Sequence, residues 1–447
     1  MNKLQDYFNC SKRLPAFSLF LLITVNQIIS QNLPALSADS LELEKVIQQV
    51  VNSHPGMMAA AEAIQTADAK ISLSRAHFLP ELDVNGSYYR QGPVPAFDFP
   101  GFGTIQFLPE NNYSLGLNAR YTLYDFGRSS TSTEIENEYK ALAGLTVEQV
   151  KQKLALSTAT VYYSLAFLQE AIRIKQEQLL LYKEHLQYVE KKKATGSATG
   201  YEILATKVNI SNAESQKMDL ESAWKTQEMV LNSLLGDSSG IVHPVRLLLS
   251  NQYENPAPDS LFVQALNGRD ELKQAEEKNR IALLQYKLIQ VQNRPVLTAF
   301  ANAGGKNGYM PYLNDFKLNF SAGVGLRIPI FDARQNHYRL LIAQSTIRTV
   351  NLEKELTGRT IRTELAEACN TLASAGSRVN HDRLQLRMAL EAYTLAVVNY
   401  KAGAMTSLDL FDAQDKVSQS RLLLLKSQID YEIGHIRFLS ALGERLY

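Results

Sequence analysis

The chain has 447 residues, of which 45% are hydrophobic and 20% are charged, so it can bury a large apolar area and is not a disordered protein. Its 46 basic and 45 acidic residues give a formal net charge of +1, which offers no electrostatic argument for a nucleic-acid partner. The two cysteines, Cys10 and Cys369, exclude a disulfide framework.

The first predicted element is a secretory signal peptide within residues 1–38. Three basic residues precede an apolar core over Ala16–Val25, and small or polar residues follow. This order is typical of a signal peptide, and the core is too short for a membrane-spanning helix, which needs about 20 residues. The cleavage position stays open between Ser30, Ser37 and Ala38. No later stretch is long and apolar enough for such a helix. We therefore expect an exported protein, and if it lies in a membrane, its strands must cross the membrane.

The rest of the chain is predicted to be a duplication, with repeat 1 over residues 39–236, a proline-containing linker over 237–258 and repeat 2 over 259–447. One offset relates the two halves at several separated points, and it grows only upstream of a longer loop in repeat 1. Equal register at separated points indicates a duplication rather than chance similarity. The matched pairs are Pro80 and Pro295, Tyr124-Asp125 and Phe331-Asp332, residues 194–204 and 401–411, and Leu235-Gly236 and Leu442-Gly443.

Each repeat contains long helical segments. In repeat 1 we predict helix over Leu41–Phe78 and over Thr131–Lys193, then a turn at 195–200 and a returning helix over Tyr201–Leu235. A helix as long as Thr131–Lys193 would reach on the order of 90 Å, so it must lie beside other helices in a coiled coil or a helical barrel. The equivalent segments of repeat 2 are His337–Tyr400, a turn at 402–407 and Leu408–Leu442.

Each repeat also contains a predicted β-hairpin, over about residues 82–124 and 296–330. Apolar and polar residues alternate strictly through Tyr113–Tyr124 and Phe316–Ile330, and shorter strands over Leu82–Arg90 and Val296–Ala303 precede them. The pattern is typical of a transmembrane strand, although a half-buried strand of a soluble protein alternates identically. The export signal, the strand length and the aromatic residues at strand ends favour the membrane.

Four strands cannot close a barrel, and open strand edges are not tolerated in lipid. Several chains must therefore share one barrel, and three chains would supply twelve strands.

Short motifs recur in the same order in both repeats, and together they resemble TolC-type outer-membrane efflux proteins over nearly the whole chain from about Leu41 to Gly443. The motifs are Asn52-Ser53-His54-Pro55, Ala59-Ala60-Ala61, Arg75-Ala76-His77-Phe78-Leu79-Pro80-Glu81-Leu82, Leu123-Tyr124-Asp125-Phe126-Gly127-Arg128, Pro329-Ile330-Phe331-Asp332, Leu235-Gly236 and Leu442-Gly443.

The resemblance implies a mainly α fold with transmembrane β-strands. It implies a homotrimer whose twelve-stranded β-barrel lies in the outer membrane of a Gram-negative bacterium and continues as an α-helical barrel in the periplasm. The expected function is the passive exit duct of a tripartite efflux or type I secretion system. The expected partners are a periplasmic adaptor (membrane fusion) protein, an inner-membrane pump or ABC exporter, and outer-membrane lipid.

The resemblance also assigns candidate site residues to the turns between the long helices, where relatives dock their adaptor and narrow their tunnel. The adaptor-docking turns contain Gly196, Gly200 and Gly403. The periplasmic gate comprises Asp409, Asp412, Glu202 and Tyr400. Threefold repetition would bring the gate carboxylates close together and favour cations. Asp409 and Glu202 have an alternative role as caps of the helices that follow each turn, and both roles can hold together.

We find no catalytic or metal-ligand motif in the sequence, so we expect no enzyme activity and no cofactor. One rival function is that of a periplasmic coiled-coil adaptor, which would need a β-rich globular module. Another is a helical structural protein without a channel, which would leave the alternating strands unexplained. The sequence leaves the cargo open.

Overall fold

The computed structural model describes residues 42–101, 103–236, 245–247, 249–250, 252–253 and 256–447. The predicted signal peptide and most of the predicted linker lie outside these residues. In chain order the elements are α1 (Leu43–Ser53), α2 (Pro55–Ala76), β1 (Glu81–Arg90), β2 (Ala96–Phe99), β3 (Gly103–Gln106), β4 (Asn111–Tyr124), α3 (Arg128–Ala194), α4 (Gly200–Leu235), α5 (Pro258–Gly268), α6 (Asp270–Gln292), β5 (Val296–Lys306), β6 (Lys317–Arg327), α7 (Gln335–Lys401) and α8 (Ser407–Leu442).

The helical segment predicted over Leu41–Phe78 is interrupted at His54. A residue before proline is pushed out of the helical region, and His54 has an extended backbone with ψ at 130°. Its imidazole then caps the second helix, because Nδ1 accepts a hydrogen bond from the Gly56 N–H at 3.0 Å.

The long helices have equal lengths in the two halves of the chain. Helices α3 and α7 have 67 residues each, and α4 and α8 have 36 residues each. The Asp of each aromatic-Asp motif fixes the start of a long helix. Asp125 accepts a hydrogen bond from the Ser129 N–H at 2.7 Å, and Asp332 accepts one from the Asn336 N–H at 2.9 Å.

The strands form one antiparallel sheet in the order β1-β4-β5-β6, and β2 pairs with β3 in a separate short hairpin. The two hairpins have equivalent registers, since Glu81 lies opposite Arg120 in the first and Val296 opposite Arg327 in the second. Strand β5 runs three residues beyond the predicted Ala303, whereas β6 ends at Arg327, before Pro329, a residue that cannot donate to the ladder. The short β2–β3 hairpin was not predicted.

The two faces of the sheet differ in polarity. The apolar face is solvent-exposed in the single chain, and Leu318 and Phe320 are 88% and 87% exposed. The polar face carries a hydrogen-bond chain in which Asn302 donates to Asn118, and Asn118 donates to Asp83 at 2.9 Å.

The four long helices lie side by side in the order α4, α3, α8, α7, with α3 packed on both α4 and α8. One buried cluster joins α1 to α3 and the end of α4 through Val50, Tyr162 and Leu231. A second joins α5, α7 and α8, and it includes Cys369, whose thiol pKa is raised by burial. Among the residues that the structure describes, no helix combines the length and the apolar character needed to cross a membrane.

Candidate functional site at the turns between the long helices

The two turns have the same backbone geometry. Gly196 and Gly403 both have φ at +76°, in the left-handed region that glycine adopts without strain. In each turn the residue after the glycine donates its backbone N–H to a carbonyl in the last turn of the preceding helix. Ser197 donates to the Lys192 carbonyl at 2.8 Å, and Ala404 donates to the Asn399 carbonyl at 2.9 Å. This hydrogen bond satisfies a carbonyl that the helix end would otherwise leave free.

Gly200 lies elsewhere in its turn, because it is the first residue of α4 and has no positive φ. The capping residue before it is Thr199, whose hydroxyl accepts a hydrogen bond from the Glu202 N–H at 3.3 Å.

Asp409 forms a reciprocal capping box with Thr406. The Thr406 hydroxyl oxygen accepts from the Asp409 N–H at 3.2 Å, and the Asp409 carboxylate accepts from the Thr406 N–H at 3.2 Å. The same carboxylate accepts from the Thr406 hydroxyl at 2.6 Å. These hydrogen bonds, the one from the hydroxyl first, hold the pKa of Asp409 below its ordinary value. The predicted capping role of Asp409 is therefore present, and its carboxylate is also exposed.

The other predicted gate carboxylates have different surroundings. Asp412 is exposed and accepts a hydrogen bond from Lys416 on the next turn of α8 at 2.6 Å. Glu202 is half-buried, and its charge helps to raise the pKa of Tyr400, an effect that follows burial of the phenol as the main cause. Glu202 thus acts on Tyr400 electrostatically, whereas Asp409 and Asp412 interact with residues at the start of α8.

Tyr400 belongs to a cluster of rings between α3, α7 and α8. The His185 ring centroid lies 5.3 Å from that of Tyr400 and 4.7 Å from that of Phe411. The Lys192 ammonium lies 4.9 Å from the Tyr400 ring centroid, a cation–π distance. His185 Nε2 is also hydrogen-bonded to Ser407 Oγ, the first residue of α8, at 3.0 Å. His185 therefore joins three helices at this end of the molecule.

Burial of the imidazole, aided by the positive charge of Lys192, lowers the pKa of His185. His185 is therefore neutral at neutral pH, because burial in the cluster disfavours the protonated imidazolium.

A buried polar chain further along α3 was missed by the sequence interpretation. Lys175 donates to Gln178 at 2.9 Å, and Gln178 donates to Asp415 of α8 at 2.6 Å. The Tyr182 hydroxyl donates to the same carboxylate. One sequence signal could have found the chain: Lys175, Gln178, Tyr182 and His185 follow helical spacing and so share one face of α3.

No three His, Cys, Asp or Glu side chains in the described part of the chain come together as metal ligands. The geometry instead provides two rigid turns, a packed aromatic cluster and exposed carboxylates.

Comparison with known proteins gives the family. The chain is 22% identical over 412 residues to the cation efflux system protein CusC of Escherichia coli K12, a match that covers 90% of this chain and 86% of CusC. It is 23% identical over 404 residues to the pyoverdine export outer membrane protein OpmQ of Pseudomonas aeruginosa, covering 87% of this chain and 83% of OpmQ.

The fold matches the crystal structure of the outer membrane protein VceC of Vibrio cholerae with a TM-score of 0.75 at 18% identity, covering 91% of this chain and 97% of VceC. The model of the outer membrane efflux protein family matches residues 46–237 and again residues 261–444. With both halves of the chain matched in this way, the protein belongs to the outer membrane efflux protein family.

Proposed function

We propose that three copies of this chain close one twelve-stranded β-barrel in the outer membrane and one helical tunnel in the periplasm. The chain is an outer-membrane efflux channel, as its family membership implies, and not an adaptor or a structural protein without a channel. The proposal adds the subunit number, the seams between subunits and the roles of the turns.

The observation that carries the proposal is the equivalence of the two hairpins. Strand β4 pairs with β5 inside one chain, and Leu117 lies opposite Ala303. The duplication relates β4 to β6 and β5 to β1, so β6 can pair with β1 of a partner subunit in the same way. In the duplication, Leu117 of β4 corresponds to Val324 of β6, and Ala303 of β5 corresponds to Tyr88 of β1. The equivalent pair between subunits is therefore Val324 opposite Tyr88 of the partner subunit. Repeating this step removes every free strand edge, as lipid demands.

The long helices follow the same logic. Phe411 of α8 is 3% exposed because it packs on α3, whereas its equivalent in α4, Leu204, is 65% exposed. By the duplication, α7 of a partner subunit would cover Leu204 as α3 covers Phe411. Leu395 and Val398 of α7 are 65% and 60% exposed and offer the apolar surface for that contact. Burial of such side chains stabilises an assembly by roughly 25 cal/mol per Å² of apolar surface.

The apolar face of the sheet supports contact with lipid. Its exposed leucines, valines and phenylalanines would be costly in water over so large an area, and a contiguous apolar surface of this kind marks a membrane or protein interface. The polar face would then line the duct.

We propose that the turns around Gly196, Gly200 and Gly403 meet the periplasmic adaptor, and that an inner-membrane pump or ABC exporter supplies the cargo. The predicted gate comprises Asp409, Asp412, Glu202 and Tyr400. The family match to residues 46–237 and 261–444 supports the proposed repeats, 39–236 and 259–447, joined by the linker 237–258. Because relatives named for cation efflux and for pyoverdine export are similarly related to this chain, we propose that the pump selects the cargo.

A disulfide test addresses the seam directly. Residues opposite each other on antiparallel strands have Cβ atoms about 5 Å apart, so Val324→Cys with Tyr88→Cys should join subunits in outer membranes. We expect a covalent trimer on a denaturing gel after oxidation, in a Cys369→Ala background.

The matched control pairs Val324→Cys with Leu82→Cys, which lies on the same face but six residues, roughly 20 Å, further along β1. Cross-linking of the control pair alone would refute the proposed register. A covalent product larger or smaller than three chains would refute the subunit number.

A further inference from the structure

Two lysines stand directly opposite each other at the loop end of the second hairpin. Lys306 is the last residue of β5, Lys317 is the first residue of β6, and the ladder pairs them. Lys306 also lies opposite Ser114 of β4. Since Asn302 and Ser321 form another pair of the same ladder, an even number of residues away, both lysines point to the polar face.

The pair is electrostatically unfavourable as it stands, because like charges directly opposite on neighbouring strands destabilise a sheet. Among the described residues, no carboxylate forms an ion pair with either lysine. The ammonium groups lie instead near loop tyrosines, 5.3 Å from the Tyr309 ring centroid and 5.7 Å from that of Tyr312. Glu110, the carboxylate at the end of the first hairpin, is bound by Arg90 at 3.0 Å.

The backbone around the pair is held firmly. Asn307, which is 5% exposed, follows Lys306; its side-chain oxygen accepts from the Tyr113 N–H at 2.8 Å, and its amide donates to the Asn111 carbonyl at 2.6 Å. Towards the helices, the next polar-face residues are Gly304 beside Lys306, Gly116 beside Ser114 and Asn319 beside Lys317. The two glycines contribute no side chain beside Lys306 and Ser114.

The pair exists in one repeat only. Under the duplication, Lys306 corresponds to Gln91 and Lys317 corresponds to Glu110. The first hairpin thus has the amide of Gln91 and the carboxylate of Glu110, which is ion-paired with Arg90, at the positions where the second hairpin has two ammonium groups. A feature required only for hairpin folding would not need two cations in one copy alone.

We infer that Lys306 and Lys317 form an anion-binding site on the inner wall of the duct near its outer exit. The inference rests on the proposed function, which turns the polar face inward and repeats the site three times around the axis. The ligand is a soluble polyanion that carries several phosphate or carboxylate groups, since two ammonium groups on neighbouring strands provide charge-assisted donors. The Ser114 hydroxyl beside them shares a hydrogen bond with Ser87 at 2.7 Å. A polyanion leaving the duct would bridge charges that otherwise repel.

The test uses inositol hexakisphosphate as the probe and the full-length channel in planar bilayers of phosphatidylcholine, a lipid without net charge. Added on the side of the loops, the probe should block wild-type current. The double variant Lys306→Gln, Lys317→Gln should weaken the block by about tenfold or more, because it removes both charge-assisted donors. The double variant Lys306→Arg, Lys317→Arg keeps both charges and should retain the block.

Equal block of the wild type and the glutamine variant would overturn the site. Block from the helical side alone would also overturn it. Calorimetric titration of the same probe into detergent-extracted protein gives a second measurement that needs no conductance. If the protein binds the probe through the lysines but forms no pore, the anion site is supported and the proposed duct is refuted. If it conducts but does not bind the probe through the lysines, the duct is supported and the anion site is refuted.

Discussion

At the scale of single residues, Asp409 combines two properties that the sequence left as alternatives. Its carboxylate closes the capping box with Thr406 and is nevertheless exposed. A side chain that both caps a helix and carries an exposed charge can influence ions without losing its structural role. The capping role and the charge of Asp409 can be separated by substituting Asp409 and Thr406 one at a time.

We predict that Asp409→Asn lowers the cation selectivity of the channel, since it removes a negative charge that the proposed trimer would repeat three times. The variant keeps a side chain that can still accept a hydrogen bond. Thr406→Ala should have the opposite profile, with unchanged selectivity and a stability loss of about 1 kcal/mol from the missing cap. Reversal potentials in a salt gradient measure the first property, and denaturant unfolding measures the second. Unchanged selectivity in Asp409→Asn would limit the carboxylate to capping.

His185 should make the stability of the protein depend on pH. Its pKa is lowered in the folded chain, mainly by burial, whereas an unfolded histidine titrates at about 6.5. Above that pH the imidazole is neutral in both states and contributes no pH dependence. As the pH falls below about 6.5, the unfolded chain binds the proton first, so stability decreases until the folded pKa is reached.

Melting temperatures at about pH 7.5 and about pH 5 measure this effect. We expect the decrease on acidification to be smaller in His185→Phe, which keeps an aromatic ring in the cluster. His381→Gln changes an exposed histidine and should melt like the wild type at both pH values. An equal decrease in wild type and His185→Phe would show that other groups control the acid sensitivity.

At the scale of helices and strands, the sequence predicts those elements whose pattern is local. The proline-free run Thr131–Lys193 lies within α3, and the alternation through Tyr113–Tyr124 lies within β4. The β2–β3 hairpin was missed because its strands have only four residues each, too few to establish an alternating pattern among the glycines and prolines of the loop.

The candidate site was predictable only in part for the same reason. The glycine turns have local signatures, and the structure has left-handed backbone at Gly196 and Gly403. The contact of Asp415 with Gln178 joins residues 237 positions apart, and no local pattern identifies such a partner. The gate assignment to Asp409, Asp412, Glu202 and Tyr400 came from family resemblance and stays a prediction.

The repeat-ending glycines provide an element-scale prediction with an internal control. Gly236 and Gly443 both end a 36-residue helix with positive φ, at +71° and +82°. A Cβ at Gly236 would meet nothing within 4 Å, whereas one at Gly443 would lie 2.5 Å from the Gly268 carbonyl carbon. We expect Gly236→Ala to cost about 1–2 kcal/mol from backbone strain and Gly443→Ala to cost clearly more.

Chemical unfolding of the two variants measures the difference. Equal losses would mean that the close backbone contact between Gly443 and Gly268 does not form in solution. A larger loss for Gly236→Ala would reverse the expected order and contradict the packing of the C-terminal end of α8 against α5.

At the scale of the whole molecule, the described part of one chain presents two unpaired strand edges, β1 and β6, and two outer helices, α4 and α7. The duplication supplies a complementary surface for each of them from an identical copy. A closed ring therefore needs no contact type that the single chain does not already contain. The two halves nevertheless differ where function is expected, since only one half carries the lysine pair and only one carries the aromatic partner His185.

The most direct test of this assembly is a single-particle electron cryo-microscopy map of the protein extracted from outer membranes. The proposed closure predicts threefold symmetry, twelve strands around one axis, and β6 of each subunit beside β1 of the next with Val324 near Tyr88 of the partner subunit. A map with another number of subunits, or with β1 and β6 unpaired at open edges, would contradict it.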